Sequence, residues 1–503
     1  MTPFLFLIYP YFCLIVKHIS LSLKNLFKQT AIYGIATVVP RMFSFILTPL
    51  HTTPGVMGDA KYGQISIIFA YLVFLNVVLS YGMETAFFRF YNSEDKKKVI
   101  STSTISLFWS SLLFLSAGLF FRNYIGSALD VDPEYITYII WVLALDALVI
   151  VPFAKLRAEG RPMFYAFVKI GNVAFNLLLN FFFLLWLPEL AKSSPESFIA
   201  TLYVPDFQVG YVLVANVLAS LATFAIFLPH YLRLSWHFNS ELWKTMMRYS
   251  VPVMWAGIAF AINETFDRPL LDFMGVSKSE VGAYSACYKL ALFMTLFTTA
   301  FRLGIEPFFF SHAGNENAPQ TYATITKYFV IFGSAILVGV VVFADLLKIF
   351  IIRAESMWSA MKVVPLIITA NFFLGIYTNL SVWYKLSDKT KMGAYISIVG
   401  AVVTLAFNFA LIPMWGYMGS AIATISAYGT MMIISYIVGN KYYPIPYDVK
   451  SIGGYLGLSI ALSIVYFYFF RENYIVGIAV LAIFGFFIYK NEKAMLLRIA
   501  RRK

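Results

Sequence analysis

Apolar stretches about as long as a membrane span recur along almost the whole chain, separated by short polar loops. About 20 mostly apolar residues suffice for a helix to cross a bilayer. Only helices or closed barrels satisfy the backbone inside lipid, and barrel strands would appear as short alternating segments, which this sequence lacks. The sequence therefore predicts an all-α membrane protein with about fourteen transmembrane helices, near residues 30–50, 65–87, 100–121, 135–154, 163–187, 207–229, 249–273, 281–303, 326–345, 359–384, 392–414, 418–438, 452–470 and 474–490.

The composition agrees with a membrane protein. Of the 503 residues, 60% are hydrophobic and only 13% are charged, and the mean hydropathy is +0.75. In a soluble protein a net charge of +13 would suggest a nucleic-acid partner. Here the basic residues fall in short loops between spans, so we expect membrane lipids and no nucleic acid as partners. Cys13 and Cys287 are isolated, which argues against a disulfide framework or a thiolate metal site.

No catalytic set of residues is recognisable in the sequence. The longest predicted outer loop, 188–205, is too short for a soluble catalytic domain, which needs at least about 50 residues. A P-loop glycine-lysine motif for a nucleotide is missing, and the 5 histidines are scattered without metal-ligand spacing. We therefore predict that the protein is not an enzyme and has no cofactor or metal site, and that its function lies within the helix bundle.

The loops alternate between basic-rich and basic-poor, which predicts how the chain is inserted. The positive-inside rule places the basic-rich loops in the cytoplasm, so both termini are predicted to be cytoplasmic. The apolar run within residues 1–29 is short for a span and makes a poor signal peptide, so a cytoplasmic or interfacial segment is predicted there. Whether residues 1–23 belong to the native product is left open. The basic-rich set includes 96–98, 155–161, 385–391 and the tail 501–503.

Two halves of the sequence resemble each other. YGMETAFFRFYN matches LGIEPFFFSHAG, which pairs Glu84 with Glu306 at an offset of 222. Farther along, Asn180 in the fifth span matches Asn408 in the eleventh at an offset of 228. Six spans per copy is an even number, so both copies have the same orientation in the membrane. They are predicted to be related by a pseudo-twofold axis along the membrane normal, with the functional site at their interface.

The repeat divides the chain into predicted domains. The N-lobe comprises spans one to six, and the C-lobe comprises spans seven to twelve. Spans thirteen and fourteen, followed by a basic tail, are additions to this pair. The predicted boundaries are 1–29 for the N-terminal segment, 30–238 for the N-lobe, 239–440 for the C-lobe and 441–503 for the added helices and tail.

Ionisable residues inside the predicted spans mark the candidate site. Such residues are costly at membrane depth and usually face a bundle interior or a wet cavity on a substrate or ion path. Span seven contains Glu264, Asp267 and Arg268, which share one helix face at the spacing i, i+3 and i+4. Lys289 in span eight lies at a depth similar to that of Glu264, so the two could pair. Arg41 lies near the middle of span one.

A second group of charged residues lies at the cytoplasmic ends of the repeat-related spans two and eight. Ion pairs among them would close an inner gate when the cavity opens outward, and the alternative is interfacial anchoring. Asp146 and Lys169, in spans four and five, are predicted to form a structural pair between adjacent helices. The gate candidates are Glu84, Arg89, Arg302 and Glu306.

Stretches throughout the chain resemble bacterial polysaccharide-biosynthesis transporters, the Wzx-type flippases of the multidrug/oligosaccharidyl-lipid/polysaccharide exporter superfamily. The resemblance covers roughly residues 25 to 490 and is carried by YGMETAFFRF, LRAEGRP, NLLLN, YSACYKLALFMTLFTTAFRLGIEPFFF and NFALIPMWGYMGSAIAT. It implies a two-lobed bundle in the bacterial cytoplasmic membrane that moves undecaprenyl-diphosphate-linked oligosaccharides to the periplasmic leaflet by alternating access. It also implies a basic central cavity for the diphosphate and the sugar.

With this resemblance, Arg41, Arg268 and Lys289 are the candidates for binding the diphosphate, because a cation binds phosphate strongly where water is scarce. Glu264 and Asp267 suit either sugar hydroxyls or a switch coupled to a proton or sodium gradient. A local salt bridge is the alternative for Asp267. Polysaccharide polymerases or assembly proteins are candidate partners.

Two other functions compete with the flippase. A cation-coupled multidrug exporter of the same superfamily would favour an acidic cavity and about twelve spans, whereas the basic candidates and the additional spans indicate an anionic cargo. A membrane enzyme that polymerises or ligates sugar chains would need a large periplasmic loop with catalytic residues, which the sequence lacks. The glycan, the coupling ion and the oligomeric state are left open.

Overall fold

The computed structural model of the chain describes residues 34–36, 38–40, 42, 45–312, 316–387 and 389–500. Within these ranges the chain forms helices and connecting turns and no β-strand, which confirms the all-α prediction. A helix makes its backbone hydrogen bonds within its own segment, so an apolar sequence of this length can cross lipid without exposing unpaired backbone groups.

The N-terminal half is a series of long helices with several interruptions. Residues 45–51 are helical. The α-helices after them are α1 (Asp59–Ser80), α2 (Met83–Tyr91), α3 (Lys96–Leu129), α4 (Pro133–Leu148), α5 (Ile150–Ala158), α6 (Pro162–Phe181), α7 (Leu187–Ser193) and α8 (Gln208–Leu232). A π-helical stretch, Phe182–Trp186, continues α6.

The C-terminal half has the same character. Two 3-10 helical segments, Lys289–Ala291 and Glu355–Val363, lie within its spans. Its helices are α9 (Ser240–Thr265), α10 (Asp267–Phe273), α11 (Lys278–Tyr288), α12 (Leu292–His312), α13 (Ala318–Val342), α14 (Ala344–Ile351), α15 (Val364–Leu380), α16 (Val382–Leu386), α17 (Lys391–Trp415), α18 (Tyr417–Tyr442), α19 (Val449–Phe469) and α20 (Tyr474–Ala500).

In the described part of the chain, 12 helical stretches are long and apolar enough to cross a membrane. They correspond to predicted spans two to six and eight to fourteen. Predicted span seven, 249–273, covers the second part of α9, a helix of 26 residues, and the whole of α10. Predicted span one lies partly outside the described residues, as does the whole of segment 1–29, so the total of about fourteen stays a prediction.

Helices α1 and α11, from the two predicted lobes, cross in direct backbone contact. We call the end of the bundle where they begin the outer end, following the orientation predicted from the basic loops. A Cβ atom on Gly282 would collide with the backbone carbonyl of Asp59, and one on Gly63 with that of Lys278. Beside this contact, Lys278 Nζ lies 2.8 Å from Asp130 Oδ2. Elements of the two predicted lobes are therefore in direct contact at the end that we call outer.

Replacing Gly282 with alanine is expected to open the outer end, because the new Cβ atom needs the space that the Asp59 carbonyl occupies. We expect a longer and broader distance distribution between spin labels at the exposed positions Glu134 and Ser279, measured by pulsed electron paramagnetic resonance. Gly339→Ala is the matched control, since its Cβ position has nothing within 4 Å. An unchanged distribution in the Gly282 variant would show that this contact does not hold the lobes together.

The two halves repeat one polar contact near the inner end. Glu84 of α2 pairs with Arg157 of α5 at 2.8 Å, and Glu306 of α12 pairs with Lys385 of α16 at 2.6 Å. The glutamates differ in number by 306 − 84 = 222 and the cations by 385 − 157 = 228, which are the two offsets found in the sequence. The shared contact supports the internal repeat, and the division into two lobes remains our proposal.

Helices α19 and α20, predicted as additions to the repeat, pack against α13. Near the inner end, Lys327 of α13 lies 2.5 Å from Glu492 of α20. Near the outer end, Asp345 of α14 lies 2.6 Å from Arg471, in the loop between α19 and α20. Both ends of the added pair are therefore tied to elements of the C-terminal half.

Candidate substrate site

The two cations of predicted spans seven and eight lie where their helices change geometry. Arg268 is in the short helix α10, just past the end of α9 at Thr265. Lys289 begins the 3-10 segment between α11 and α12. Discontinuous helices in the middle of a membrane bundle recur where transporters hold substrates, because they free backbone groups and create space. The sequence predicted the positions of these cations but not the breaks beside them.

Arg268 is held by its neighbour in sequence. Its Nη1 atom lies 3.0 Å from Asp267 Oδ1, and the hydroxyl of Tyr284 donates to Asp267 Oδ2 at 2.7 Å. The guanidinium also stacks over the ring of Tyr288, 4.5 Å from the centroid. The local salt bridge that was the alternative for Asp267 is thus formed, and it fixes the direction of the arginine.

Lys289 differs from Arg268 because no counter-charge lies beside it among the described residues. Within the part of the chain that the structure describes, no carboxylate lies within 4.0 Å of its ammonium group. The charged group that acts on it most strongly is Arg268, another cation. The pair with Glu264 that the sequence allowed is therefore not formed. Like charges within electrostatic range of each other repel in a low-dielectric environment, so an anion that reached Lys289 would be favoured there.

Both cations remain partly accessible. The side chain of Arg268 is 12% exposed, against 6% for Asp267, and Lys289 is half-buried. Such groups can meet a ligand without unfolding of the bundle. A sealed position would have made the predicted substrate role physically impossible.

A polar chain from the N-terminal half reaches the same region. The side-chain amide nitrogen of Asn180 donates a hydrogen bond to the backbone carbonyl of Asn176 at 2.8 Å, because a carbonyl can only accept. Asn180 Oδ1 then faces His51 Nε2 at 3.1 Å, and this nitrogen carries the proton. His51 is buried and lies within electrostatic range of Lys289. The sequence analysis assigned no role to His51, and the repeat match of Asn180 was the available signal.

The gate candidates make their ion pairs within each half of the molecule. Glu84 and Glu306 contact Arg157 and Lys385 of their own halves, as described for the inner end. Arg89 stacks over the ring of Tyr249 at 4.5 Å, which joins α2 to α9. Arg302 is exposed and lines a small cleft with the other charged groups of α12 and α16. A gate formed by these residues in another conformation stays a prediction.

The remaining predicted site residues are only partly located. Arg41 lies outside the described residues. Glu264 lies half-buried in the last turn of α9, close to the start of α10. Among the described residues, no group of three or more histidine, cysteine, aspartate or glutamate side chains is placed to hold a metal ion.

Family models match two parts of the chain. The model described as polysaccharide biosynthesis protein matches residues 26–311, and the MatE model matches residues 271–410. No match was found among curated proteins.

Solved structures with a similar fold cover most of the chain. The lipid II flippase MurJ, in an inward closed conformation, superposes with a TM-score of 0.70 at 15% identity, covering 91% of this chain and 99% of that one. A multidrug resistance MATE family transporter of the MOP superfamily, in an inward-facing conformation, gives 0.59 at 14% identity and covers 84% and 96%. A MOP superfamily transporter from Pyrococcus furiosus, described as having a binding pocket of reverse polarity, gives 0.54 at 14% identity and covers 82% and 95%. These likenesses establish the fold.

Proposed function

We propose, since the chain belongs to the family of polysaccharide biosynthesis proteins, that it flips undecaprenyl-diphosphate-linked oligosaccharides across the bacterial cytoplasmic membrane. The cargo moves from the cytoplasmic to the periplasmic leaflet by alternating access. Membership of the multidrug/oligosaccharidyl-lipid/polysaccharide exporter superfamily and the many membrane-spanning helices support a transporter rather than an enzyme.

The observation that carries this proposal is the half-buried ammonium of Lys289 without a carboxylate beside it. An uncompensated charge in a low-dielectric interior costs several kcal/mol even after relaxation. A diphosphate would supply the missing negative charge and accept hydrogen bonds from both Lys289 and Arg268. Tyr288 places an aromatic ring beside Arg268, with the guanidinium 4.5 Å from the ring centroid, and the buried Tyr284 supports the arrangement by donating to Asp267. The ring of Tyr288 suits the sugar that is joined to the diphosphate.

Alternating access requires two halves that separate at one end and close at the other. The glycine contact between α1 and α11 provides a closure that needs no side chains to rearrange. The repeated ion pairs near the inner end would keep each half rigid during this movement. In this proposal both termini are cytoplasmic, and enzymes that extend the glycan act on the delivered cargo.

The alternative is a cation-coupled multidrug exporter of the same superfamily, which the MatE match over residues 271–410 supports. A cationic drug would be repelled by the adjacent Lys289 and Arg268. Expression in a host that lacks its own pumps separates the two candidates. Increased resistance to cationic dyes would favour the drug exporter, and unchanged resistance is expected here.

The direct test is removal of the protein from its own cells. We expect surface polysaccharide to disappear and a diphosphate-linked glycolipid to accumulate in the cytoplasmic leaflet, where mass spectrometry of extracted lipids identifies it. Reintroducing the protein should reverse both changes. Normal surface polysaccharide together with no accumulated glycolipid would contradict the proposed function.

A further inference from the structure

A second group of ionisable residues lies inside the N-terminal half, apart from the substrate site. Asp146 is near the middle of the span formed by α4 and α5, and it accepts a hydrogen bond from Ser220 of α8 at 2.8 Å. The side-chain amide of Asn76 of α1 lies close to the same carboxylate. Lys169 of α6 stacks over the ring of Phe153, with its ammonium 4.3 Å from the centroid. Polar groups from four parts of the bundle thus meet at membrane depth.

The structural ion pair predicted for Asp146 and Lys169 is not formed. Each acts on the other electrostatically, but their charged atoms are farther apart than the 4.0 Å of an ion pair. Ions buried only for stability are held in contact, because separation loses the attraction that offsets their desolvation. Both side chains also remain partly accessible. In this structure the lysine lies over the ring of Phe153 and within electrostatic range of the carboxylate.

Charged groups connect this region with the inner end of the bundle. Lys169 lies within electrostatic range of Asp146 and also of Glu84 and Arg157. The latter two form the exposed ion pair near the inner end. Asp146, Lys169 and Glu84 therefore form a series of ionisable groups that runs from the middle of the membrane to the inner surface.

The helix that carries Asp146 is interrupted directly after it. Helix α4 ends at Leu148, and α5 begins at Ile150. The hydroxyl of Tyr231 donates to the carbonyl oxygen of Leu148 at 2.7 Å, which satisfies the backbone at this break. When a side chain of another helix supplies the hydrogen bond that the backbone loses at a break, the helix can move locally at the break at low cost in free energy.

We propose that Asp146 is a proton-binding site that couples the bundle to the proton gradient, with Lys169 as its alternating partner. When Asp146 is ionised, the Lys169 ammonium leaves the ring of Phe153 and contacts the carboxylate. When the carboxylate takes up a proton from a hydronium ion, one O–H bond of hydronium breaks and one forms on the carboxyl group, a water molecule is left, the negative charge is lost and the lysine returns to the ring. The proton leaves to the other side after the bundle reorients, so no further bond or electron pair changes.

The surroundings of Asp146 suit this exchange. Among the described residues, Lys169 is the charged group that faces it, whereas α1 and α8 present the amide of Asn76 and the hydroxyl of Ser220. Neutral hydrogen-bonding partners can stabilise both the ionised and the protonated carboxyl group. The coupling role rests on the proposed transport function, but proton binding by Asp146 can be observed without any cargo.

The first experiment detects the proton on purified protein in lipid nanodiscs. Infrared difference spectra between acidic and alkaline buffer should contain a carbonyl band of a protonated carboxylic acid that is missing in Asp146→Asn. Asp146→Glu should keep such a band at a shifted frequency, and Lys169→Met should move its titration midpoint. The control Asp132→Asn, at an exposed helix cap, should give the wild-type spectrum. A wild-type spectrum from Asp146→Asn would overturn the site.

The second experiment tests coupling in liposomes that contain a trapped pH-sensitive dye. The probe is the glycolipid extracted from cells that lack the protein. Adding it should start proton movement with the wild type and with Asp132→Asn, but not with Asp146→Asn. Proton movement by Asp146→Asn at the wild-type rate would overturn the coupling role. If the glycolipid is not flipped at all by the wild type, the proposed function fails, and the infrared result alone decides whether Asp146 binds a proton.

Discussion

Replacing Lys289 with methionine is expected to abolish transport and, at the same time, to make the protein more stable. The ammonium is half-buried, has no carboxylate beside it among the described residues and lies near a second cation, Arg268. Methionine has a similar length and no charge, so it removes the desolvation cost and the repulsion. Replacing buried ions with apolar groups of similar volume often stabilises a protein by about 1–4 kcal/mol, and functional sites are where such gains cost activity.

Two measurements check this prediction together. Chemical unfolding in detergent should show a higher midpoint for Lys289→Met, while surface polysaccharide is lost from cells that carry the variant. Lys362→Met is the matched control, because Lys362 is exposed and stacks over Tyr417 at the outer end. It should change neither quantity. Normal polysaccharide with Lys289→Met, or a loss of stability, would show that the lysine is structural.

Replacing Asp267 with alanine is expected to have the opposite effect on stability, a loss of about 3–5 kcal/mol. The carboxylate is 6% exposed and binds both the guanidinium of Arg268 and the hydroxyl of Tyr284. Its removal leaves a cation and a hydroxyl without their acceptor, and breaking a buried pair on one side costs more than the pair itself contributes.

A double substitution separates the pair from other effects of the alanine. Asp267→Ala combined with Arg268→Met removes both charges, so most of the lost stability should return, and the coupling energy follows from the cycle. Glu84→Ala is the comparison at an exposed pair, for which a loss of only about 0.2–1 kcal/mol is expected because its carboxylate is 46% exposed. Equal losses for Asp267→Ala and Glu84→Ala would contradict a buried, functionally positioned pair.

Much of the architecture could be predicted from the sequence because membrane helices leave a direct signal. Uninterrupted apolar stretches predicted the helices, and two matched segments predicted a repeat that reappears as the pairs Glu84–Arg157 and Glu306–Lys385. Neither cation partner was identified beforehand. Each glutamate could be identified from the sequence of its own helix, whereas the identity of its partner depends on which helices lie side by side.

The details of the candidate site were less predictable for the same reason. Depth along a helix suggested a pair between Glu264 and Lys289, but depth does not specify the rotation of either helix. Pro269, directly after Arg268, cannot bond the carbonyl of Thr265 and so marks the break between α9 and α10, but the sequence analysis did not use it. The break at Lys289 has no proline or glycine beside it. His51 contacts Asn180 across 129 positions of sequence, which only a three-dimensional structure can reveal.

The central claim is that Lys289 and Arg268 bind a diphosphate, and binding itself is its most direct test. Native mass spectrometry of the purified protein can measure the retention of a polyprenyl-diphosphate-linked sugar by the wild type, Lys289→Met and Lys362→Met. A hydrogen bond to a charged group contributes about 1.5–3 kcal/mol, so Lys289→Met should bind at least about tenfold more weakly, while Lys362→Met binds like the wild type. Equal retention by all three proteins would contradict the claim.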